Sequence, residues 1–599
     1  MPSRIPFLAL LNMALLASMA TAQWQPVEDT LPTRWANDVS PDKCLPEYPR
    51  PQMVRETWTN LNGLWHYAIQ PRGHDEPAQF DGRILVPFPI ESALSGVKQR
   101  VGPENRLWYR RIFDVPQAWR GGRVLLHFGA VDWQCEAWVN GTKLGTHRGG
   151  YDPFTFDITD ALKPGGPQEI VVAVWDPTDT GQQPRGKQVR KPRGILYTPV
   201  TGIWQTVWIE PVAKTSIARL KITPHTDDGT VVVEVELAGA DKELSIAAVA
   251  RDGKQVVAQA TGPAGQPLRL TIDHPKLWSP ADPFLYDLTV SLAADGKIVD
   301  EVKSYCGLRK IAVEKDAHGV ARLMLNGKPL FQYGFLDQGW WPDGLYTAPT
   351  DEALRYDVEM TKKIGMNLIR KHVKVEPARW YYHCDRLGLL VWQDMPSGDR
   401  GIRPKEPDLK RSKESADQFR AELKAMIDSL YNSPAVVMWV PFNEGWGQFE
   451  TGAITDWIKR YDPTRLVDSA SGWADRGTGD VYDKHAYPGP AMFPIEPNRA
   501  SVLGEFGGLG LPLDGHLWQI KRHWGYRNMK DRAELAETYR GLMQKLRPLV
   551  EKGLSAAVYT QTTDVEGEVN GLMTYDRAVL KIDAAELRKM HEPLYAPVP

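Results

Sequence analysis

The sequence predicts a multidomain chain: a jelly-roll-like β-sandwich, an immunoglobulin-like β-sandwich, then a C-terminal (β/α)8 barrel. Three observations predict it. Up to residue 305, apolar residues alternate at spacing two between Gly, Pro and Asn-Gly punctuation, the pattern of antiparallel strands joined by tight turns. After Cys306, eight short apolar runs alternate with helical patterns over about 290 residues, which suits a closed barrel better than an open sheet. Most of those runs end in polar residues, where a barrel carries its chemistry.

The elements follow in order. The N-terminus, MPSRIPFLALLNMALLASMATAQW, has Arg4, an apolar core and Ala20-Thr21-Ala22, which predicts a signal peptide over 1–22 and an exported mature chain from Gln23. That core is too short for a membrane span, and no later run offers about 18 uninterrupted apolar residues, so membrane insertion is not expected. The first sandwich is placed at 23–211, with Asn140-Gly141 as a hairpin turn rather than a glycosylated sequon. The second is placed at 212–305, where Asp252-Gly253 and Asp295-Gly296 mark turns and the length fits one immunoglobulin-like unit. The barrel is placed at 306–599, with strands over 330–335, 367–373, 389–395, 435–443, 465–471, 480–487, 501–506 and 555–563. Thr350 is the expected cap of a first helix that ends at Gly365, and Ser415 with Gln418 has capping-box spacing for another. A doubly wound sheet is the competing architecture, but no Gly-rich phosphate loop supports it.

Composition narrows the partners. The chain has 599 residues, 42% hydrophobic and 24% charged, enough for several cores. A net charge of -2 without a basic stripe argues against nucleic acid. The 22 tryptophans fit stacking on sugar faces as well as core packing. Cys44, Cys135, Cys306 and Cys384 lack metal-ligand spacing; buried free thiols are expected over a Cys44–Cys135 disulfide. The expected partner is a glycoside or oligosaccharide. The oligomeric state is left open.

Polar residues gather at the strand ends: Asp337 on the first, Arg370, His372 and Lys374 on the second, Gln393 and Asp394 on the third, Asn443 and Glu444 on the fourth, His485 and Tyr487 on the sixth, Glu505 on the seventh, Gln561 and Asp564 on the eighth. Glu444 and Glu505 would face each other across the mouth. Glycosidic cleavage needs one protonated carboxyl and one ionised carboxylate, placed about 5 to 5.5 Å apart when configuration is retained. Glu444, beside Trp446, is the expected proton donor; Glu505, near Tyr487 and Arg370, is the expected nucleophile. His372 and Lys374 add positive character that would suit an acidic sugar. Trp340, Trp341, Trp446, Trp518 and Trp524 are candidate sugar platforms, and the long segments 396–414 and 509–528 are candidate site loops. The polar segment 176–188 of the first sandwich is placed to reach over the barrel mouth.

These motifs resemble glycoside hydrolase family 2 along the whole mature chain. GGYDPFTFDITDAL and TGIWQTVWIEPV look like its sugar-binding sandwich, WSPADPFLYDLTV like its central sandwich, and GLRKIAV like its barrel entry. The resemblance implies the acid/base role for Glu444 after Asn443, the nucleophile role for Glu505 in LGEFG, nucleophile support from Arg370, an HxY element in His485 and Tyr487, and a bond from Asn443 to the sugar 2-hydroxyl. Where several members carry His-Tyr-Pro after strand two, this chain has KHVKVEP. The expected activity is retaining exo-β-glycosidase action on a terminal β-linked sugar. A galactoside is favoured over a glucuronide, galacturonide or mannoside, because an Asn-x-Lys element for a uronate is not evident. No cofactor is required, no metal ligand set is announced, and a bound cation stays open. The alternative is a non-catalytic carbohydrate-binding protein with the same architecture.

Overall fold

The structure, a computed structural model, describes residues 24–28, 31–239 and 244–597. The signal-peptide reading lies outside the described residues. No helix among the described residues is long and apolar enough to cross a membrane.

The first sandwich packs a six-stranded antiparallel sheet on a four-stranded one. Alternation works as the sequence requires: on the strand Gln134–Val139, Cys135, Ala137 and Val139 enter the core while Gln134, Glu136 and Trp138 do not. Asn140 and Gly141 both have positive φ, +50° and +81°, so the pair forms the hairpin turn. The Asn140 amide is consumed by Ala161 O and Gln168 Oε1, so its side chain serves the fold. Strands Ser216–His225 to Lys297–Cys306 make the second sandwich, with Leu220, Val233, Ile246 and Leu288 in its core. All four cysteines are buried and unpaired.

Eight parallel strands make the barrel: β1 (Gln332–Asp337), β2 (Leu368–Lys371), β3 (Leu390–Asp394), β4 (Val436–Val440), β5 (Leu466–Val467), β6 (Val481–Ala486), β7 (Ala500–Gly507) and β8 (Leu554–Thr560). Their spatial order is β5-β4-β3-β2-β1-β8-β7-β6, and Asp480 N–H donating to Val467 O (2.8 Å) links the two ends. Except in β6, which is partly accessible, every strand residue is buried, as expected of a sheet covered on both faces. The hairpin of Ile311–Lys315 and Ala321–Leu325 closes the floor, and Arg309 and Arg322 donate to carbonyls at the strand bases.

Six α-helices accompany the strands: α1 (Asp351–Lys363), α2 (Ala378–Leu387), α3 (Lys413–Leu430), α4 (Thr451–Tyr461), α5 (Arg532–Lys552) and α6 (Ala584–His591). The expected strand-helix repeat therefore lapses after β5 and β6. Segment 468–480 is rich in Gly, Ser and Asp, and segment 487–499 contains Pro488, Pro490, Pro494 and Pro497; neither composition sustains a helix. Thr350 caps α1 as expected, accepting from Ala353 N–H (3.1 Å). The cap of α3 is Ser412, not Ser415: Ser412 Oγ accepts from Ser415 N–H, and Gln418 instead donates to Glu422.

The first sandwich docks on the barrel mouth. Arg185 and Gly186 N–H both donate to Ser397 O (2.9 Å each), and Tyr197 OH donates to Glu568 (2.5 Å). Segment 176–188 thus reaches the top of the barrel.

Candidate active site

The strand ends enclose a cavity of about 190 Å³, lined among others by Asn443, Glu444, Trp446, Tyr487, Glu505 and His372. This is below the range of drug-sized ligand sites, which begins at about 300 Å³, and suits a single ring. A larger cleft of about 430 Å³ separates the sandwiches from α1, α2 and α3, but neither Glu444 nor Glu505 opens onto it.

Glu444 sits in a turn the sequence forces. Its φ is +54°, costly for a residue with a Cβ, and the glycines at 445 and 447 continue the turn at φ +78° and +66°. The strained backbone is clamped: Glu444 N–H donates to Ser471 O (2.9 Å), Ile402 N–H to Gly445 O (3.0 Å), and Arg411 to Gly447 O (2.5 Å). The loop 396–414 is therefore a brace for Glu444.

Glu505 is buried on β7. Tyr487 OH donates to its Oε2 (2.7 Å), and Arg370 Nη1 lies 3.5 Å from its Oε1. Burial alone would raise its pKa, but His485, Arg370 and the Tyr487 hydroxyl together hold it below the ordinary value. One carboxylate oxygen of Glu444 lies within 4.8 Å of one of Glu505, and a His485 nitrogen lies within that distance of both.

His485 is the link between them. Its Nδ1 is 2.8 Å from Glu444 Oε1 and 3.5 Å from Glu505 Oε2, while Nε2 is 2.8 Å from Ser471 Oγ. Burial opposes a charge on this ring, but Glu505, Asp483 and Glu444 outweigh it and keep His485 protonated well above the usual histidine range. A protonated ring donates to Glu444 and does not ligate. The Glu444–His485–Glu505 group is nevertheless the one set among the described residues spaced to surround a cation.

Arg370 fixes the floor of the site. Fully buried, it forms a bidentate pair with Asp394 (3.0 Å and 3.0 Å) and donates to Asn443 Oδ1 (2.8 Å) and Gly504 O (3.2 Å). With Asn443 Oδ1 held this way, its amide nitrogen is left for the cavity. His372 Nδ1 meets Asp394 Oδ2 at 2.8 Å; burial and the Lys187 charge push its pKa well below normal, so it is a neutral imidazole on the wall.

Other sequence candidates lie elsewhere. Asp337 is buried against Lys371 (2.7 Å) and Gly339 N–H, below the cavity. Lys374 is tied to Gly339 O, Tyr346 O and Glu376 and does not line the cavity, because Val373 with φ +45° turns the chain away after His372. Its expected role toward an acidic sugar is corrected on that ground. Trp518 is half-buried edge-on to Tyr575, while Trp340 and Trp341 are buried against Tyr197 and Trp35, and none of these three lines the cavity. Trp446 does line the site. Sequence reading missed Lys187, Gln338, Tyr526 and Glu568 on the walls. Tyr526 stacks flat on Tyr487 at 3.9 Å, and its place in the loop 509–528 was the available signal.

Comparison with known proteins agrees with this architecture. The model of the glycosyl hydrolases family 2 sugar binding domain matches residues 79–183, that of glycosyl hydrolases family 2 matches 205–309, and that of its TIM barrel domain matches 319–486, together more than half of the chain. A β-glucuronidase of Paenibacillus borealis is 25% identical over 70% of this chain and 74% of its own length. A β-galactosidase of Thermoanaerobacter pseudethanolicus is 27% identical over 56% of this chain; the chain covers 44% of that protein, less than half its length. The solved β-D-glucuronidase of Dictyoglomus thermophilum superposes with a TM-score of 0.71 over 92% of this chain and 99% of its own, at 18% identity, which speaks to fold alone. With its two sandwiches, its barrel and its opposed glutamates in this order, the chain belongs to glycoside hydrolase family 2.

Proposed function

We propose that the protein is a retaining exo-β-glycosidase. The observation that carries this is the pair Glu444 and Glu505: carboxylate oxygens within 4.8 Å, one group buried and held ionised, the other a quarter exposed to the cavity. Such a spacing leaves no room for a water between carboxylate and anomeric carbon, which favours retention. Glu444 protonates the glycosidic oxygen as Glu505 attacks the anomeric carbon, breaking the C–O bond and forming a glycosyl ester. Glu444, now ionised, takes a proton from water, which attacks the same carbon and restores Glu505. The Asn443 amide is placed to bond the 2-hydroxyl. The small, single-ring cavity supports action on a chain end, and the names of the relatives support a galacto- or glucurono-configured sugar. Nothing in this scheme calls for a cofactor, and the N-terminal segment supports export.

An aryl β-glycoside panel tests the reading. Glu444→Ala should cut kcat/KM by about 10²- to 10⁴-fold for poor leaving groups and much less for acidic phenols, which depart without a proton. A uniform loss across leaving groups would remove Glu444 as the acid. Because Glu505 is held below the ordinary carboxylate value, the acid limb of kcat/KM should lie on the acid side of the usual glutamate range. In Tyr487→Phe, the lost hydrogen bond raises that pKa, so the limb should move to higher pH; an unmoved limb would show that Glu505 does not set it.

A further inference from the structure

Resting on the glycosidase reading, we propose that Trp473 and Tyr526 form a leaving-group subsite beside the sugar cavity, and that the aglycone it prefers is an aromatic ring rather than a second sugar.

These two rings differ from the other large aromatic side chains. Among the described residues, Trp473 is the one exposed tryptophan of 22, at 45%, and Tyr526 is the one exposed tyrosine of 21, at 44%. A single exposed apolar side chain needs no explanation. Here both border the same pair of carboxylates, although they come from different loops. Trp473, after β5, meets the His485 ring edge-on at 5.8 Å, and His485 bonds Glu444. Tyr526, after β7, lies flat on Tyr487 at 3.9 Å, and Tyr487 donates to Glu505. His485 and Tyr487 are two residues apart at the end of β6, so their side chains share one face.

Backbone fit puts Trp473 beside the acid. Gly472 precedes it at φ +90°, and a Cβ there would lie 3.0 Å from His485 Nδ1 and 3.3 Å from Glu444 Cγ, so a side chain at 472 would press on the acid/base. Ser471 O accepts from Glu444 N–H (2.9 Å), and Ala474 O accepts from the Gln448 amide (2.9 Å). The segment is pinned on both sides of the indole, which stays largely open to solvent. Trp473 does not line the single-ring cavity, so it stands beyond the sugar, on the side where Glu444 protonates the departing oxygen. Tyr526 does line the cavity, with Trp446 and Ile195, and its exposure carries that apolar wall outward.

Polar neighbours decide between leaving groups. A second sugar needs side chains that can exchange hydrogen bonds with its hydroxyls. The charged residues that follow Trp473 are spent on the fold. Asp475 accepts from Arg499 twice (2.7 and 3.1 Å) and from Gly477 N–H (3.1 Å), while Arg476 donates to Asp408 (2.9 Å) and Glu406 O (2.6 Å). An aryl ring asks for none of these bonds. It gains from covering the indole and phenol surfaces, and an offset-stacked or edge-to-face pair adds to that burial.

Benzyl and methyl β-galactosides and β-glucuronides, whose alcohols have similar acidity, decide the matter together with the matching β-1,4-linked disaccharides of glucose. In the series it hydrolyses, the wild-type enzyme should prefer the benzyl member to the other two. In Trp473→Ala, the ratio of benzyl to methyl kcat/KM should fall about 3- to 10-fold, chiefly through KM, and Tyr526→Ala should lower it similarly. Trp473→Phe should recover part of the ratio, which a merely structural role for the indole would not require. A ratio unchanged in Trp473→Ala would overturn the proposal, and so would a wild-type preference for the disaccharide or the methyl glycoside. If no glycoside is turned over, the hydrolase reading itself fails. Calorimetry with benzyl and methyl 1-thio-β-galactoside and 1-thio-β-glucuronide then still judges the subsite: tighter benzyl binding that is lost in Trp473→Ala supports it, and equal or absent binding by the wild type overturns it.

Discussion

Glu505→Gln is expected to lower turnover of every substrate by about 10⁴-fold or more while leaving the fold and glycoside binding in place. The amide is nearly isosteric with the carboxylate and can still accept from Tyr487, so the barrel has no reason to rearrange. What it cannot do is form the glycosyl ester. In Glu505→Ala, which opens the space that glutamine still fills, a small anionic nucleophile such as azide should restore part of the rate from the nucleophile's face, and the product should be the glycosyl azide of inverted configuration. Circular dichroism and ligand calorimetry check the first half, and product stereochemistry checks the second. If Glu505→Gln lost fold and activity together, the residue would be a structural carboxylate. If it kept its rate, the nucleophile would lie elsewhere in the cavity.

Sequence alone reached the barrel and its pair of glutamates because both rest on local signals. Each strand is an apolar run with a polar end, and a residue at the end of a barrel strand faces the mouth whatever the rest of the chain does. Glu444, Glu505, Arg370 and His485 all obey that rule. Lys374 breaks it because one left-handed residue, Val373, reverses the alternation after β2, and nothing in the letters KHVKVEP distinguishes that turn from a continued strand. The tryptophans were ambiguous for another reason. Trp340 and Trp341 follow β1, yet the docked sandwich covers them, and docking is a long-range property. Lys187 was hidden in the same way: its segment was legible as a reach over the mouth, but its entry into the cavity depends on Gly186 fitting against Val373 O. Helices after β5 and β6 failed where Pro and Gly content said they would, so that part of the departure was written in the sequence.

Arg370→Met should damage both stability and rate, and the two effects are separable. The guanidinium is wholly buried and answers Asp394 with two hydrogen bonds, Asn443 with one, and Glu505 at 3.5 Å. Removing it strands Asp394 without its cation, and breaking one side of a buried pair costs about 3 to 5 kcal/mol. Protonation of Asp394 would relieve part of that cost, so the loss should be larger at neutral pH than near pH 4. Burial already pushes the Asp394 carboxyl up, and Arg370 is the main influence holding it down; in its absence the raised pKa makes stability fall as pH rises through it. Arg370→Lys separates the effects. A lysine keeps the charge but has no planar fork, so it cannot hold Asp394 and Asn443 at once. The lysine variant should therefore unfold at a temperature closer to wild type, yet lose on the order of 10²-fold in kcat/KM, because Asn443 and Glu505 shift relative to the anomeric carbon. Urea titrations at two pH values report the first effect and glycoside kinetics the second. An Arg370→Lys enzyme with full activity would mean that charge alone, not the fork, holds the nucleophile and its neighbour in register.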